Sequence, residues 1–481
     1  MVAVNSTSTS DQSAGRTGDL IRALIDVVGA DHVLRDADVR AGYETDWTGR
    51  YRGSSDVVVR PAHTVEVGAV VAACAGHSAQ IITQAGNTGL VGGSVPRTDR
   101  TQSDRPVVVL SMRRLDHLGA VDTAAMQVTA GAGVTLARWR GHARLSGLDT
   151  PVDFAARDVA TIGGAIATNA GGSRVLRFGT MRQQVVGIEA VLADGSIIGS
   201  LSGLPKETAG LHWPSLLAGS EGTLAVVTAA RLRLVPMLGE TITALIALDS
   251  IGAATDLLGS LRRTVPSLDA AEIICPAAME LVSSHLGRHA PVTAPDGGVY
   301  LMVDCADHVD PSESLLAVLG AAAGVVDAAV TADGAQRDRL IGFRDHITEA
   351  IAATSTAIGV PTFKLDVAVP LDALPELLEV AQQAADADGC RLVPFGHLAE
   401  GNLHLNHLGA RNPRQIADTV LRAVADLGGT ISAEHGIGVA KSPWLHLIRT
   451  PAELAAQAAI RLALDPNAML NPGVLDASSE R

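Results

Sequence analysis

Three glycine-rich segments fall in the first half of the chain, and they constrain its fold more than any other feature. The first, Gly86-Asn87-Thr88-Gly89-Leu90-Val91-Gly92-Gly93-Ser94, follows the strand-like run Gln80-Ile81-Ile82-Thr83. The second holds Thr161-Ile162-Gly163-Gly164 and Asn169-Ala170-Gly171-Gly172, and the third is Gly219-Ser220-Glu221-Gly222-Thr223-Leu224. Glycine leaves the backbone N–H unshielded, so one such loop can cradle a diphosphate and three can wrap one extended ligand. A single glycine cluster is as often a plain surface turn. The first loop has neither the Gly-Lys-Ser/Thr ending of a nucleoside-triphosphate loop nor the Gly-x-Gly-x-x-Gly spacing of a dinucleotide turn.

Around these loops, short apolar runs at 57–59, 81–83, 107–110 and 127–130 alternate with helical stretches at 65–74 and 136–144, which reads as an α+β fold. The run 185–192 meets Asp194-Gly195, a tight-turn pair, and resumes at Ile197-Ile198, so antiparallel pairing is expected. The first helix is expected over 20–28 behind an Asp19 cap. After Leu234-Val235-Pro236 the glycine loops stop, and strands alternate with Ala/Leu-rich helices (253–261, 373–387) to about residue 393. A last amphipathic helix, 451–464, ends at Asp465-Pro466. The expected division is a disordered leader at 1–18, a first domain at 19–236, a second at 237–430 and a C-terminal segment at 431–481 that returns to the first.

Composition excludes several classes of function. A net charge of −14 repels phosphate backbones, so no nucleic-acid partner is expected. The apolar stretches are broken by glycine or charge before the roughly 20 residues that span a bilayer. Four cysteines stand far apart, which supports neither a disulfide framework nor an iron–sulfur cluster. The Ser/Thr/Gly/Asp-rich start lacks the basic and apolar regions of a signal peptide, and a cytoplasmic protein is expected.

The second half carries the ionisable candidates. In Gly396-His397-Leu398-Ala399-Glu400-Gly401-Asn402-Leu403-His404, the two histidines differ in strand parity, and a turn at Glu400-Gly401 is needed to bring them to one face. Further on, Glu434-His435-Gly436-Ile437-Gly438 sets a carboxylate beside an imidazole. Two histidines and a glutamate suit a divalent metal with an open position, although a lone histidine pair is more often structural. His407 reads as a rim residue. Arg344 and Thr348 stand four apart in a helical stretch and share a face, while Lys364 alternates against Leu365 and Val367 in a strand. Base rates favour solvated charges at such places.

Taken in order, Asp46-Trp47, Tyr51-Arg52-Gly53, the three glycine segments, Gly-His-x-x-x-Gly-Asn-x-His at 396–404 and Glu-His-Gly-Ile-Gly at 434–438 resemble the flavin-dependent dehydrogenases of the vanillyl-alcohol-oxidase type. Within them the chain is most similar to the D-lactate and D-2-hydroxyglutarate dehydrogenases, from about residue 43 to 475. The resemblance implies a two-subdomain, PCMH-type FAD-binding domain, an α+β substrate (cap) domain with an antiparallel sheet, and a C-terminal helical segment. It implies FAD held by Gly86, Asn87, Thr88, Gly89, Gly92, Gly93, Pro151, Gly163, Gly164, Asn169, Glu221, Gly222 and Val227, non-covalently, because the first loop has no histidine to attach it. It implies a divalent metal, expected to be zinc, on His397, His404 and Glu434, with His435 as base and Asn402 in the same motif. Arg344, Thr348 and Lys364 match positions that hold a distal carboxylate in members resembling D-2-hydroxyglutarate dehydrogenase. Ala399 and Glu400 depart from the motif's usual glycine and aspartate, and Ala155 from a usual glycine. The expected activity is oxidation of a D-2-hydroxy acid, dicarboxylic by these residues, to the 2-keto acid. The electron acceptor would be an electron-transfer protein, a quinone or a dye, and a homodimer is the expected assembly. The alternatives are a D-lactate or glycolate dehydrogenase or oxidase, and a non-catalytic flavin-binding subunit of a redox complex.

Overall fold

The computed structural model describes residues 8–97 and 105–476, with side chains from residue 15 onward. The chain packs as two units, one of Met1–Ala170, Thr180–Pro236 and His435–Arg481, the other of Gly171–Gly179 and Met237–Glu434.

The first unit holds two four-stranded sheets. Strands β1 (Val33–Leu34), β2 (Val57–Val59), β3 (Gln80–Gln84) and β4 (Val107–Ser111) lie in the order β1-β2-β4-β3, with β2 and β3 parallel to β4 and β1 antiparallel to β2. β2 is three buried valines, the unbroken apolar run that a strand covered on both faces requires. Helices Ser8–Val28 and Thr64–Gly76 share its core through Leu20, Leu24, Val67 and Val71. The second sheet is antiparallel throughout. Its strands come from β5 (Gln127–Gly131), β7 (Val185–Val191), β8 (Ile197–Ser200) and β9 (Val226–Arg233), in the order β5-β9-β7-β8, beside a ribbon of β6 (Leu148–Asp149) and β10 (Val235–Pro236). The Asp-Gly turn joins β7 to β8 as its chemistry predicts: Gly195 takes φ 88°, and the Ser196 N–H donates to Asp194 Oδ1 at 2.8 Å.

The expected leader is corrected from residue 8 onward, since the first helix begins at Ser8 rather than behind Asp19. Once Leu20 and Leu24 fix the packed turns, adding polar residues N-terminally needs one hydrogen bond per residue and no new nucleus. Residues 1–7 of the expected leader lie outside the described residues.

The second unit is built on one seven-stranded antiparallel sheet. Its strands are β11 (Glu240–Leu248), β12 (Leu268–Ile274), β13 (Val299–Asp307), β14 (Val325–Thr331), β15 (Phe363–Ala368), β16 (Arg391–His397) and β17 (Asn402–Leu408), in the order β14-β11-β13-β12-β16-β17-β15. On one face Ile274, Tyr300, Met302, Val393 and Phe395 pack against helices Pro276–Leu286, Gly334–Asp345 and Ile347–Ile358. Leu365, Val367, Leu403 and Leu405 alternate with that set and are buried too. So is His407, at 0% exposure, which corrects its reading as a rim residue: its parity puts it among the leucines of β17. The stretch carrying Arg344 and Thr348 is likewise two helices rather than one. They meet at His346 (φ −88°, ψ 3°), whose Nδ1 lies 2.9 Å from the Gly342 carbonyl oxygen, the acceptor that its backbone N–H also reaches at 3.3 Å. Among the described residues no helix is long and apolar enough to cross a membrane.

Candidate active site

The histidine pair is brought to one face by the β16–β17 hairpin. A short 3-10 turn, Leu398–Glu400, and Gly401 in the left-handed region (φ 63°) reverse the chain. A Cβ at Gly401 would stand 2.0 Å from the Val369 carbonyl oxygen, so only glycine fits. The reversal sets His397 opposite Asn402 and Phe395 opposite His404, so both imidazoles stand on the helix-covered face with ring centroids 5.4 Å apart. Glu434 joins them from a loop pinned to β15. Ala368 and Thr430 exchange backbone hydrogen bonds, and Asp366 Oδ2 accepts the N–H groups of Ala433 (3.1 Å) and Glu434 (2.9 Å). The Glu434 carboxylate then lies 3.4 Å from His404 Nε2 and 3.8 Å from His397 Nε2. A Cβ at Gly171 would stand 2.9 Å from Val175 Cγ2 and in ordinary contact, 3.6 Å, with Glu434 Oε2.

Two buried acids stand behind the histidines, and both were missed in the sequence. Glu272, from β12, lies opposite His397, with Oε1 2.6 Å from His397 Nδ1 and Oε2 accepting from Arg344 Nε at 2.6 Å. Burial alone would raise its pKa, but the adjacent charges of His397 and Arg344 outweigh that and hold the carboxyl down to about 2. Asp366, from β15, lies opposite His404, with Oδ1 3.5 Å from His404 Nδ1 and 2.8 Å from the Asn402 amide nitrogen that donates to it. Asn402 also donates to the Val367 carbonyl, so its amide braces the hairpin. The signal available in the sequence was acids inside an otherwise apolar strand, as Asp269 and Glu272 are in Leu268-Asp269-Ala270-Ala271-Glu272-Ile273-Ile274, because buried acids are rare without partners.

The donor set fits a divalent cation. Two imidazole nitrogens face one carboxylate, and each ring turns its other nitrogen toward a buried acid, the arrangement that fixes tautomer and ring orientation in metal sites. Ligand atoms of Asp366, His404 and Glu434 lie within 4.8 Å of one another. Burial opposes charge on His397, yet the adjacent carboxylates of Glu272 and Glu434 push its pKa up to about 10. Glu400, on the turn, has its carboxyl pushed up to about 7 by burial, against the attraction of His397. His435 is bonded to Glu434 and is the first residue of the other unit's last segment.

The three anion-site candidates are dispersed over separate elements. Arg344 is half-buried, its guanidinium 4.7 Å from the Phe395 ring centroid. Thr348 is exposed in the first turn of Ile347–Ile358. Lys364 is half-buried on β15, opposite Asn406 and on the same strand face as Asp366.

In the first unit the three glycine segments, the second as far as Ala170, form one connected cradle. Asn471 donates through its amide to the Gly93 carbonyl (2.9 Å) and the Glu221 carbonyl (2.7 Å), joining the first segment to the third. The third meets the second directly, through Gly219 N–H to Ile166 O and Glu221 N–H to Ala167 O. Glu221 is buried, which raises its pKa, while its carboxylate accepts the N–H groups of Ile437 and Gly438 at 2.8 Å each. Asn87 (φ 54°) donates to the Thr45 carbonyl and accepts from the Ser94 hydroxyl, and Gln84 donates to the Ser94 carbonyl, so the first loop is preformed. Asn169, in the left-handed region, accepts from Thr180 and the Arg182 N–H and ends helix Ile162–Thr168. A Cβ on Gly89, in the first loop, or on Gly164, in the first turn of helix Ile162–Thr168, would meet only a hydroxyl at 3.8 or 3.5 Å, so both positions open onto space a ligand can fill. Gly222 belongs to the third segment and takes φ 71°, while Pro151 and Val227 lie outside the segments and are buried.

Residues 55–199 match the FAD binding domain family, and residues 239–475 match the C-terminal domain of FAD linked oxidases. A D-2-hydroxyglutarate dehydrogenase of Xanthomonas citri pv. viticola is 33% identical over 453 residues, covering 90% of this chain and 92% of that one. A probable mitochondrial D-2-hydroxyglutarate dehydrogenase of Oryza sativa subsp. japonica is 31% identical, covering 93% and 79%. A D-lactate dehydrogenase of Archaeoglobus fulgidus is 31% identical, covering 87% and 90%. Among solved structures, p-cresol methylhydroxylase with substrate bound superposes with a TM-score of 0.76 at 15% identity, over 97% of this chain and 98% of that one, which establishes the fold. The expected α+β architecture with a PCMH-type FAD-binding domain is therefore present. The chain belongs to the FAD-linked oxidase family, among its flavin-dependent 2-hydroxy-acid dehydrogenases.

Proposed function

We propose that the chain oxidises a D-2-hydroxy acid with a second carboxylate, of the D-2-hydroxyglutarate kind, to the 2-keto acid, using non-covalently bound FAD and a zinc-like divalent cation. The observation that carries this reading is the convergence of His397 Nε2 and His404 Nε2 on the Glu434 carboxylate, with a buried acid behind each ring. When bound, FAD supplies a two-electron acceptor, and the cation a Lewis acid for the substrate's carboxylate and hydroxyl oxygens.

The chain's own residues supply the rest. His397, His404 and Glu434 hold the cation, and Asp366 and Asn402 keep the hairpin and the Glu434 backbone in place. His435 takes the hydroxyl proton as general base. The charges of Arg344 and Lys364, with the Thr348 hydroxyl, receive the distal carboxylate. The glycine segments receive the diphosphate, and the first has no histidine to bond the flavin. The electrons leave to an acceptor of the electron-transfer-protein, quinone or dye class.

A lactate- or glycolate-sized substrate is the second reading. It is favoured by Thr348 standing exposed on a different helix from Arg344. Anaerobic bleaching of the flavin separates the two: D-2-hydroxyglutarate should reduce it at lower concentration than D-lactate or D-malate. Preferential reduction by D-lactate would overturn the dicarboxylate reading, and a flavin that none of the three acids reduces would overturn the activity.

A further inference from the structure

We propose that Glu272 is a positioning residue that ties the cation site to the anion site, one buried carboxylate setting the aim of both His397 and Arg344. The inference rests on the function proposed above and deepens it. Every residue of β12 is buried, and the Glu272 side chain is 6% exposed. A carboxylate is tolerated at such a place only with opposite charge and hydrogen bonds against it. Its two oxygens divide the work. Oε1 faces His397 Nδ1 at 2.6 Å, and Oε2 accepts from Arg344 Nε at 2.6 Å.

Each bond has a distinct consequence. A carboxylate at Nδ1 keeps the proton there and leaves Nε2, the nitrogen facing Glu434, as the free donor to a cation. The bond to Arg344 uses only Nε, and among the described residues neither Nη group is hydrogen-bonded. The Phe395 ring, 4.7 Å from the guanidinium carbon, supports its plane, so the Nη groups are held ready for an incoming carboxylate. Phe395 lies opposite His404, with ring centroids 5.1 Å apart, so one strip of sheet carries both imidazoles and the platform under Arg344. The topology explains why one residue can do both. β12 pairs with β16 so that Glu272 meets His397, and helix Gly334–Asp345 packs on the same face and delivers Arg344. An ion pair that served only the fold would change the melting temperature and neither ligand.

The test compares wild type, Glu272→Gln, Arg344→Met and the double variant as flavin-loaded, metal-stripped proteins. Zn²⁺ affinity is measured by chelator competition, and after saturation with Zn²⁺ the flavin reduction by D-2-hydroxyglutarate and by D-lactate is followed. Glu272→Gln should weaken Zn²⁺ by about 10- to 100-fold, the usual effect of removing a carboxylate behind a ligating histidine, while Arg344→Met leaves Zn²⁺ within a few-fold. Both single variants should raise the half-saturating D-2-hydroxyglutarate concentration by roughly 10-fold or more, with a smaller change for D-lactate. The two losses should not add, so the double variant matches Arg344→Met toward D-2-hydroxyglutarate and Glu272→Gln toward Zn²⁺. If Glu272→Gln alone does not fold, the double variant, which removes both halves of the pair, still reports the Zn²⁺ loss. Unchanged Zn²⁺ affinity without Glu272, or additive losses toward the dicarboxylate, would overturn the inference. A wild-type protein that binds no Zn²⁺ would instead overturn the metal reading on which it rests.

Discussion

At the scale of single residues, the proposed chemistry separates into groups that hold and one group that transfers a proton. His435 follows Glu434, a proposed cation ligand, but belongs to none of the three glycine segments, so its removal should spare the flavin. His435→Ala should keep the flavin absorbance and slow flavin reduction by about 10² to 10⁴, the ordinary contribution of a general base; reduction at the wild-type rate in stopped flow would assign the proton elsewhere. His407 offers a test of burial. Loss of hydration, opposed by the charge of Asp388, pushes its pKa from 6.5 down to about 4. A folded-state value below the unfolded one means that the unfolded chain takes up the proton first, so the stability is complete above about pH 6.5 and lost as the pH falls toward 4. Between pH 7.5 and 5 the loss from this residue is about 2 kcal/mol. His407→Leu should remove it, seen as a shallower fall in denaturant midpoint, and identical pH slopes for both proteins would contradict the assignment. His397, His404, Glu434 and His435 could be named as candidates from the sequence because each sits in a short local motif. Glu272 and Asp366 were not, because their meaning comes from cross-strand neighbours: Glu272 and His397 are 125 residues apart.

At the scale of elements, the β16–β17 hairpin decides whether the two imidazoles can act together. Strand parity alone places His397 and His404 on opposite faces, and the 3-10 turn with Gly401 restores a common one. The need for a turn was readable from Glu400-Gly401, but the closeness of the Val369 carbonyl was not, since β15 reaches the hairpin from an earlier part of the chain. Gly401→Ala meets two penalties: a left-handed backbone costs roughly 1–2 kcal/mol for a residue with a Cβ, and the contact at 2.0 Å forces the turn away from Val369. The expected outcome is a lower melting temperature together with weakened Zn²⁺ binding, because the turn sets the register of both ligands. A variant that loses stability yet binds Zn²⁺ like wild type would show that the ligands do not depend on this turn. The helix break at His346 illustrates the opposite limit. Spacing of four residues suggested one helical face for Arg344 and Thr348, and the non-helical residue His346 between them, invisible to periodicity, puts them on two helices.

At the scale of the whole molecule, the chain passes between its two units at residues 170–171, 179–180, 236–237 and 434–435, and each unit has its own hydrophobic core. Apart from Gly171 and Gly172, the glycine segments lie in the first unit, and His397, His404, Glu434, Glu272 and Asp366 lie in the second. This division was legible where the glycine segments give way to Ala/Leu-rich helices at Leu234-Val235-Pro236, but the membership of Gly171–Gly179 in the second unit was not. That short segment is held there by Arg174 and Arg177, which pair with Asp269 at 3.1 and 3.4 Å, contacts that no local pattern announces. The separation predicts that the two ligands stabilise different parts of the chain. A ligand that binds only the folded state adds about 2.7 kcal/mol at 100 times its dissociation constant. In hydrogen exchange, FAD should therefore slow the backbone of residues 86–94, 162–168 and 219–223, and Zn²⁺ that of residues 391–408 and 430–434. Each ligand should leave the other's set nearly unchanged when added alone. If FAD added to metal-free protein protected the histidine hairpin as strongly as the glycine segments, the two sites would not be separate stability units, and the assignment of one ligand to each would have to be withdrawn.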